Sequence, residues 1–229
     1  FSVEGRLTAE RQALHDAIVR THFAKVPEVA NPSAIMLGGG PASGKSTMLK
    51  SLTLPENAVT VDVDYIRTLL PEYRELLATK ARQAAGYTHE EASLLAKRIA
   101  REGAARHHMI YDGSGDGSYA SLSEKIAGYR AKGQKVIGHY VTVDTDEAIR
   151  RMRLRGERTG RFVPETYLRE THKNISVTIP RAMTEGQFDE ITLWDTNGPE
   201  LLRVATSNRG GTITIYDEAG WQRFLAKGR

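Results

Sequence analysis

Residues 39–46, Gly-Gly-Pro-Ala-Ser-Gly-Lys-Ser, have the spacing G-x-x-x-x-G-K-S. The apolar run 34–37 before them predicts a buried strand, and a helix is predicted to begin at Lys45. In that setting the glycines let the chain turn tightly and present backbone N–H groups to a polyphosphate, while the lysine adds a cation. An ordinary glycine turn is the weaker interpretation, because both flanking elements lie where a phosphate-binding loop requires them.

We therefore expect this loop and the first turn of its helix to bind the phosphates of ATP. The hydroxyl of Ser46 is also a candidate ligand of Mg²⁺. The predicted ATP-binding residues are Gly39, Gly40, Pro41, Ala42, Ser43, Gly44, Lys45, Ser46 and Thr47.

The composition fits one α/β domain. The chain has 229 residues, of which 40% are hydrophobic, and this is enough to bury a core. It contains no cysteine, which excludes a disulfide scaffold and a thiolate metal site and favours a reducing compartment. An apolar run of membrane-spanning length and a signal segment are both absent, so a soluble, cytoplasmic protein is expected. The first residue, Phe1, indicates either processing or a domain of a longer chain.

Positive charge is concentrated in one segment of the chain. The formal net charge is +4, and six arginines lie between residues 150 and 161. Such a cluster suits either the backbone of a nucleic acid or a polyphosphate. Aromatic residues do not alternate with these arginines, so a nucleotide is favoured over nucleic acid, and no membrane partner is expected.

Strand-like and helix-like segments alternate, which predicts a three-layer α/β/α fold with a mainly parallel five-stranded sheet. The predicted strands are 34–37, 58–64, 107–111, 136–143 and 188–193. Predicted helices include 8–23, 45–52, 65–70, 88–106, 119–132 and 164–185, the last with a break at Pro180. Two short strands, 201–205 and 212–216, predict a hairpin before a final helix, 218–226. We expect a single domain, 1–229, made of an N-terminal helix (1–30), a core (30–200) and the C-terminal hairpin and helix (201–229).

Aspartates follow two of the predicted strands. Asp62 and Asp64 end the second strand, with Asp64 expected on the loop, and Asp112 ends the third strand before a glycine-rich turn. In parallel sheets, ligands bind outside the carboxyl ends of the strands. A carboxylate beside a phosphate-binding loop is a candidate general base or an indirect Mg²⁺ ligand. Capping of the next helix is the alternative; it is weaker for Asp64 and about equally good for Asp62.

Arginines follow the fourth predicted strand. Arg151 and Arg155 lie four residues apart on one face of a helix that is predicted to break at Gly156. The next segment, 159–164, is a glycine-hinged loop that contains Arg161. Arginines on such a loop suit a lid that closes on a transferring phosphoryl group, whereas a solvated basic helix face is the alternative.

Taken together, these motifs resemble the zeta-toxin-type kinases over roughly residues 30–200. The phosphate-binding loop is the one motif that is specific by itself. Four more occur in order: Val-Asp-Val-Asp-Tyr-Ile-Arg (61–67), His-Glu-Glu-Ala-Ser (89–93), Tyr-Asp-Gly-Ser-Gly (111–115) and Thr-Gly-Arg-Phe-Val-Pro (159–164). These P-loop kinases phosphorylate the sugar 3′-hydroxyl of UDP-N-acetylglucosamine. The resemblance implies an ATP-dependent kinase with Mg²⁺ as cofactor and an inhibitory antitoxin as a partner.

By position, the resemblance also implies roles for single residues. Asp64 would accept the proton of the acceptor hydroxyl. Lys45 and Ser46 would hold the β- and γ-phosphates with Mg²⁺, and Asp62 would bind the metal indirectly. The implied catalytic residues are Asp64, Lys45, Arg155 and Arg161; Arg151 stays an alternative to Arg155, because the lid is shorter here.

The residues that would contact the acceptor depart from the family pattern at two positions. Asp112 stands where the family has a glutamate that contacts the sugar, and Ser114 stands where it has a threonine. Arg67 and Glu91 are further candidate substrate contacts. The alternatives are another acceptor, such as NAD, another metabolite or a polynucleotide end, and a nucleotide-binding interaction domain that transfers no phosphate.

Overall fold

The computed structural model describes residues 2–3, 6–113, 118–159 and 163–229. Its strands are β1 (Ser2–Val3), β2 (Arg6–Leu7), β3 (Ser33–Gly39), β4 (Ala58–Asp62), β5 (His108–Asp112), β6 (Lys135–Thr142), β7 (Glu190–Asp195), β8 (Leu202–Asn208) and β9 (Thr214–Ile215). Its helices are α1 (Ala9–Phe23), α2 (Lys45–Ser51), α3 (Val63–Thr68), α4 (Pro71–Tyr87), α5 (His89–Gly103), α6 (Tyr119–Arg130), α7 (Thr145–Thr159), α8 (Glu165–Thr184) and α9 (Glu218–Ala226). In these residues no helix is both long and apolar enough to span a membrane.

Seven strands of the described chain form the central sheet, in the order β4-β5-β3-β6-β7-β8-β9. The first five are parallel to one another, which confirms the predicted parallel sheet. β8 pairs antiparallel with β7, and β9 pairs antiparallel with β8. The predicted hairpin therefore continues this sheet, which has seven strands rather than five.

The sheet order brings the acidic strand ends to the phosphate-binding loop. β3 lies between β5 and β6, so the loop that follows β3 stands at the middle of the carboxyl edge. In the pairing of β4 with β5, Asp62 is directly opposite Asp112. A parallel arrangement thus gathers residues that are far apart in the sequence.

Helices cover both faces of the sheet. One core lies under α1, α5, α6 and α8 and includes Leu95, Ile126 and Ile179. A smaller core on the other face surrounds Met48 of α2 and includes Ile35. The continuous apolar run of β3 follows from this arrangement, because a strand buried on both faces has no polar side.

One helix, α4, has no counterpart in the sequence prediction. Pro71 stands in its first turn, where a missing N–H is tolerated. Its apolar residues do not form a continuous stripe, and among its described side chains Ala84 alone is buried. A weak 3.6-residue periodicity therefore left this helix undetected.

Two expected helix breaks are wrong. Gly156 is predicted to break α7, but the helix continues to Thr159, since an interior glycine costs only about 1 kcal/mol relative to alanine. Pro180 is predicted to interrupt α8 and instead lies inside it. Thr88 is the N-cap residue of α5 as predicted, but its hydroxyl donates to the Ala84 carbonyl at 2.8 Å and makes no cap hydrogen bond.

A buried cation attaches the N-terminal helix to the domain. Arg11 on α1 is 6% exposed. Its guanidinium donates to Glu91 of α5 (Nε to Oε1, 2.6 Å) and to Glu72 of α4 (Nη1 to Oε1, 2.7 Å). His15 Nε2 also lies 2.6 Å from Glu91 Oε1. The hydrogen bond with Glu91 raises the pKa of Arg11 further above its usual value, so charge-assisted bonds join the three helices.

Replacement of Arg11 by methionine should destabilise the fold. Arg11→Met leaves two carboxylates without their cation, and loss of one partner of a buried pair costs about 3–5 kcal/mol. Because Glu72 and Glu91 are 25% and 23% exposed, we expect about 2–3 kcal/mol in the free energy of urea unfolding. Arg106→Met is the control, since its ion pair with Glu28 is exposed on both sides and should contribute less than about 1 kcal/mol. Equal losses would contradict the anchoring role of Arg11.

Candidate functional site

The phosphate-binding loop connects β3 to α2, as the sequence predicts. The chain turns through Ala42 (φ +59°) and Gly44 (φ +91°), and α2 begins at Lys45. The Ser43 N–H donates to the Gly40 carbonyl at 3.2 Å, which closes the turn. Glycine adopts a left-handed conformation freely, whereas an alanine there is strained. The surrounding structure must therefore hold this turn in place.

Lys45 lies within an acidic cluster. Its Nζ is 3.9 Å from Oδ1 of Asp112. Burial lowers the pKa of Lys45, while the charges of Asp112, Asp64 and Asp62 oppose that effect. Burial raises the pKa of Asp112, and the charge of Lys45 opposes it. The fold thus brings the loop lysine together with the three aspartates that the sequence analysis selected.

The two aspartates after β4 have different environments. Asp62 caps α3, because its Oδ1 accepts a hydrogen bond from the N–H of Asp64 at 2.8 Å. Asp64 lies in the first turn of α3, not on a loop as expected. Its carboxylate is 47% exposed, with Oδ1 2.9 Å from Nη1 of Arg67. The capping alternative therefore holds for Asp62, and Asp64 presents an oriented, accessible carboxylate.

Arg67 is buried behind Asp64, with 7% exposure. Its Nη2 lies 3.2 Å from Nδ1 of His89, at the start of α5. A guanidinium only donates, so the histidine nitrogen must accept. His89 is part of a sequence motif, but only the packing of α3 against α5 shows that it supports Arg67.

Glu91 is engaged by protein groups in this structure. Its carboxylate is held by Arg11 and His15, in the network that joins α1 to α5. Arg67 is likewise bound to Asp64 and to the α5 histidine. Direct contact of Glu91 or Arg67 with a substrate stays a prediction.

A cavity of about 280 Å³ opens beside Asp112, between α5 and α6. Tyr111 of β5 and Tyr129 of α6 line it, and their rings stack with centroids 4.3 Å apart. Lys97 of α5 also lines it. Aromatic walls with a few polar groups are typical of sites for organic ligands.

Two further cavities adjoin the loop. One, of about 230 Å³, lies over the loop and is lined by Lys45, Ser46 and Arg155 among others. The other, of about 300 Å³, is lined by Thr47 and by the turn 196–201 that follows β7. Gly44 and Arg151 line both cavities, so they are neighbours.

The two arginines that the sequence left as alternatives both line the cavity over the loop, but in different surroundings. Arg151 is fixed to protein groups: Nε lies 2.7 Å from Glu147 Oε1, and Nη2 lies 2.6 Å from the carbonyl oxygen of Thr196. Arg155, one helical turn later, lines the cavity over the loop. The positive charge of Arg155 also lowers the pKa of Lys45, although this effect is smaller than those of burial and of the acidic neighbours.

Two predicted site residues, Arg161 and Ser114, lie outside the described residues. Within the described chain, no three or more His, Asp or Glu side chains form a metal site by themselves. A nucleotide-bound Mg²⁺ needs fewer protein ligands, because phosphate oxygens and water complete its coordination. The hydroxyl of Ser46 and the carboxylate of Asp62 supply oxygen donors of the type that Mg²⁺ prefers.

His172 on α8 is a residue of the site that the sequence analysis missed. It is 3% exposed, and its Nε2 lies 3.0 Å from the carbonyl oxygen of Pro41 in the loop. Since a carbonyl only accepts, Nε2 carries a proton and donates. Burial lowers the pKa of His172 to about 4, although this hydrogen bond opposes the shift. Its sequence surroundings contain no motif that marks it.

The buried imidazole predicts a loss of stability in mild acid. Its folded-state pKa of about 4 is below the ordinary 6.5, so the unfolded chain takes up the proton first as the pH falls. The contribution of the neutral ring to the free energy of unfolding is therefore fully present above pH 6.5, and it is lost progressively between pH 6.5 and pH 4.

A His172→Phe variant isolates this effect from other titrating groups. The free energy by which wild type exceeds the variant should shrink by about 2 kcal/mol between pH 7 and pH 4.5, as measured by urea unfolding. A difference that is independent of pH would contradict a neutral buried histidine.

Comparison with known proteins gives a family and a fold. The family described as Zeta toxin matches residues 16–220. A search of curated proteins gives no match. A solved chain of the PezAT chromosomal toxin-antitoxin system of Streptococcus pneumoniae is 15% identical, with a TM-score of 0.69 over 97% of this chain and 94% of that chain.

Structures of AvrRxo1-ORF1:AvrRxo1-ORF2 share the fold as well. The structure with sulphate ions is 16% identical, with a TM-score of 0.73 over 97% of this chain and 75% of that chain. The structure with ATP is 14% identical, with the same TM-score over 97% and 74%. Because the family match covers most of the sequence, from the N-terminal helix to the start of the last one, this protein belongs to the zeta toxin family.

Proposed function

We propose that the protein is an ATP-dependent kinase that transfers the γ-phosphate to a hydroxyl of a small nucleotide-type acceptor, namely the sugar 3′-hydroxyl of UDP-N-acetylglucosamine. The observation that carries the proposal is the meeting of Lys45 with Asp64 and Asp112 beside the phosphate-binding loop. Membership of the zeta toxin family supports it, because the kinase activity is what the sequence resemblance implies.

ATP would occupy the two adjoining cavities at the loop. The phosphates fit the cavity over the loop, near Lys45 and Ser46, and the base fits the neighbouring cavity formed with the turn 196–201. A structure of AvrRxo1-ORF1:-ORF2 with ATP, which has a similar fold, supports ATP as the ligand. The strained turn at Ala42 is consistent with a loop shaped for a ligand.

Mg²⁺ would be held by the Ser46 hydroxyl together with phosphate oxygens, and by Asp62 indirectly. When bound, the ion neutralises charge on the β- and γ-phosphates. Asp62 also keeps its capping bond to the N–H of Asp64, so one carboxylate would serve both the helix and the metal site.

Asp64 would act as the general base. It takes the proton of the acceptor hydroxyl as that oxygen bonds to the γ-phosphorus; the bond to the bridging oxygen breaks, and ADP leaves. The bond from Arg67 orients the Asp64 carboxylate, and His89 orients Arg67 in turn. Lys45 would stabilise the charge that develops on the transferring group.

The second lid arginine is proposed to be Arg155, with Arg161 as the first. Arg151 and Arg155 both line the cavity over the loop; Glu147 and Thr196 fix the guanidinium of Arg151, and the charge of Arg155 acts on Lys45. Planar guanidinium groups suit the equatorial oxygens of a phosphoryl group in transfer.

The acceptor would lie in the cavity beside Asp112. The Asp112 carboxylate lines this cavity and would accept hydrogen bonds from sugar hydroxyl or amide groups, while the stacked Tyr111 and Tyr129 would provide an apolar wall. Ser114 is proposed as a neighbouring contact. The PezAT neighbour is part of a toxin-antitoxin system, which supports the proposal of an inhibitory antitoxin partner for this chain.

Phosphorylation of UDP-N-acetylglucosamine is the direct test. With Mg²⁺ and ATP, the protein should release one ADP for each sugar phosphorylated, as measured by coupled ADP detection and mass spectrometry, with ³¹P NMR to locate the 3′-phosphate. NAD and a polynucleotide with a free 5′-hydroxyl are assayed in parallel. Phosphorylation of NAD or of the polynucleotide alone would rule out UDP-N-acetylglucosamine as the acceptor but would still support kinase activity. ATP binding without transfer to any acceptor would favour an interaction domain.

Paired substitutions at the two aspartates test the base. Asp64→Asn should lower turnover by roughly 10²-fold or more, since a general base contributes about that much, with ATP affinity nearly unchanged. Asp62→Asn makes the same chemical change but keeps the helix cap, because asparagine caps as well as aspartate. At saturating Mg²⁺ it should therefore retain most of the turnover. A larger loss of turnover for Asp62→Asn than for Asp64→Asn would contradict this assignment and would indicate Asp62 as the general base.

A further inference from the structure

We propose that His172 and Thr196 are positioning residues that fix the phosphate-binding loop in its nucleotide-binding conformation and connect it to the helices α7 and α8. The proposal rests on the proposed binding of ATP by this loop. It adds that the shape of the loop is set by two side chains outside its motif.

Each residue holds one carbonyl group of the loop. His172 Nε2 donates to the Pro41 carbonyl at 3.0 Å, and Thr196 Oγ1 donates to the Ser43 carbonyl at 2.6 Å. His172 is 3% exposed and Thr196 4% exposed, so water does not compete for these bonds. Buried bonds of this kind restrict the loop on the side away from the ligand.

The two bonds also set the direction of backbone donors. In a planar trans peptide, the C=O of one residue and the N–H of the next point in opposite directions. Anchoring the Pro41 carbonyl therefore turns the N–H of Ala42 away from α8, and anchoring the Ser43 carbonyl turns the N–H of Gly44 away from Thr196. Ala42 and Gly44 both line the cavity over the loop, where donors to phosphate are needed.

Two loop glycines, Gly40 and Gly44, leave space for the side chains of His172 and Thr196. A Cβ on Gly40 would lie 2.4 Å from Nε2 of His172, and a Cβ on Gly44 would lie 3.0 Å from Oγ1 of Thr196. Side chains at either position would push the positioning residue away. The two glycines thus permit the carbonyl contacts as well as the turn.

The contacts reach both α7 and α8. His172 belongs to α8, which begins at Glu165. Thr196 is held by Arg151 of α7, whose Nη2 donates to the Thr196 carbonyl at 2.6 Å. A movement of α7 or α8 therefore acts on a hydrogen bond of the phosphate-binding loop.

The test is the affinity for ADP with Mg²⁺, measured by titration calorimetry on the full chain. His172→Phe keeps a ring without a donor, and Thr196→Val keeps the shape without the hydroxyl. Each should weaken ADP binding about tenfold, which corresponds to about 1.4 kcal/mol. His172→Gln and Thr196→Ser retain a donor and should recover most of the affinity.

Matched controls distinguish positioning from general destabilisation. His107 is 4% exposed, and its Nδ1 lies 3.0 Å from the Pro27 carbonyl, at the opposite end of the sheet. Thr171 is 7% exposed, and its hydroxyl donates to the Tyr167 carbonyl at 2.8 Å. His107→Phe and Thr171→Val should lower the thermal midpoint about as much as the test variants, with ADP affinity unchanged.

The outcomes separate this inference from the proposed function. A wild-type protein that binds neither ADP nor ATP would refute the nucleotide site, and the inference with it. Wild-type binding that survives both His172→Phe and Thr196→Val would refute the positioning role alone. Equal loss of affinity in the control variants would show that the effect is a general loss of stability, and would also overturn the inference.

Discussion

The site depends on the attraction between the ammonium group of Lys45 and three nearby carboxylates, those of Asp62, Asp64 and Asp112. Burial lowers the pKa of Lys45 and raises the pKa of Asp112, and the charge of each group opposes the shift in the other. The parallel pairing of β4 with β5 puts Asp62 opposite Asp112, an arrangement of like charges that needs a cation close by. The lysine that follows the loop supplies it, so the sheet edge and the loop stabilise each other.

Much of the fold could be predicted from the sequence, because the residue patterns that specify it lie within short contiguous segments. The phosphate-binding loop, the parallel strands and the aspartates at their carboxyl ends each follow from residues that are close together in the chain. The helix α4 and the extension of the sheet to seven strands could not be predicted in this way. Both features depend on packing against elements that are distant in the sequence. The periodicity of hydrophobic residues within a short segment does not reveal such packing.

Single side chains show the same limit. Arg151 and Arg155 share one helix face in the sequence, yet the bond of Arg151 to the Thr196 carbonyl, 45 residues later, appears only in the folded chain. Glu91 has the position of a substrate contact, yet Arg11, eighty residues earlier, holds its carboxylate. His172 carries no sequence signal at all. In each case the deciding partner comes from a distant segment, and only tertiary structure identifies it.

The long separation between the loop and its two hydrogen-bond donors affects the order of folding. Those donors lie 131 and 153 positions further along the chain. During synthesis the loop therefore emerges early, but its carbonyls stay hydrated until α8 and the end of β7 have docked. A fragment that ends after β6 would carry the complete motif without the groups that shape it. Nucleotide binding to the completed loop would then stabilise the folded chain by mass action, and would thereby favour the docked state of α8 and β7.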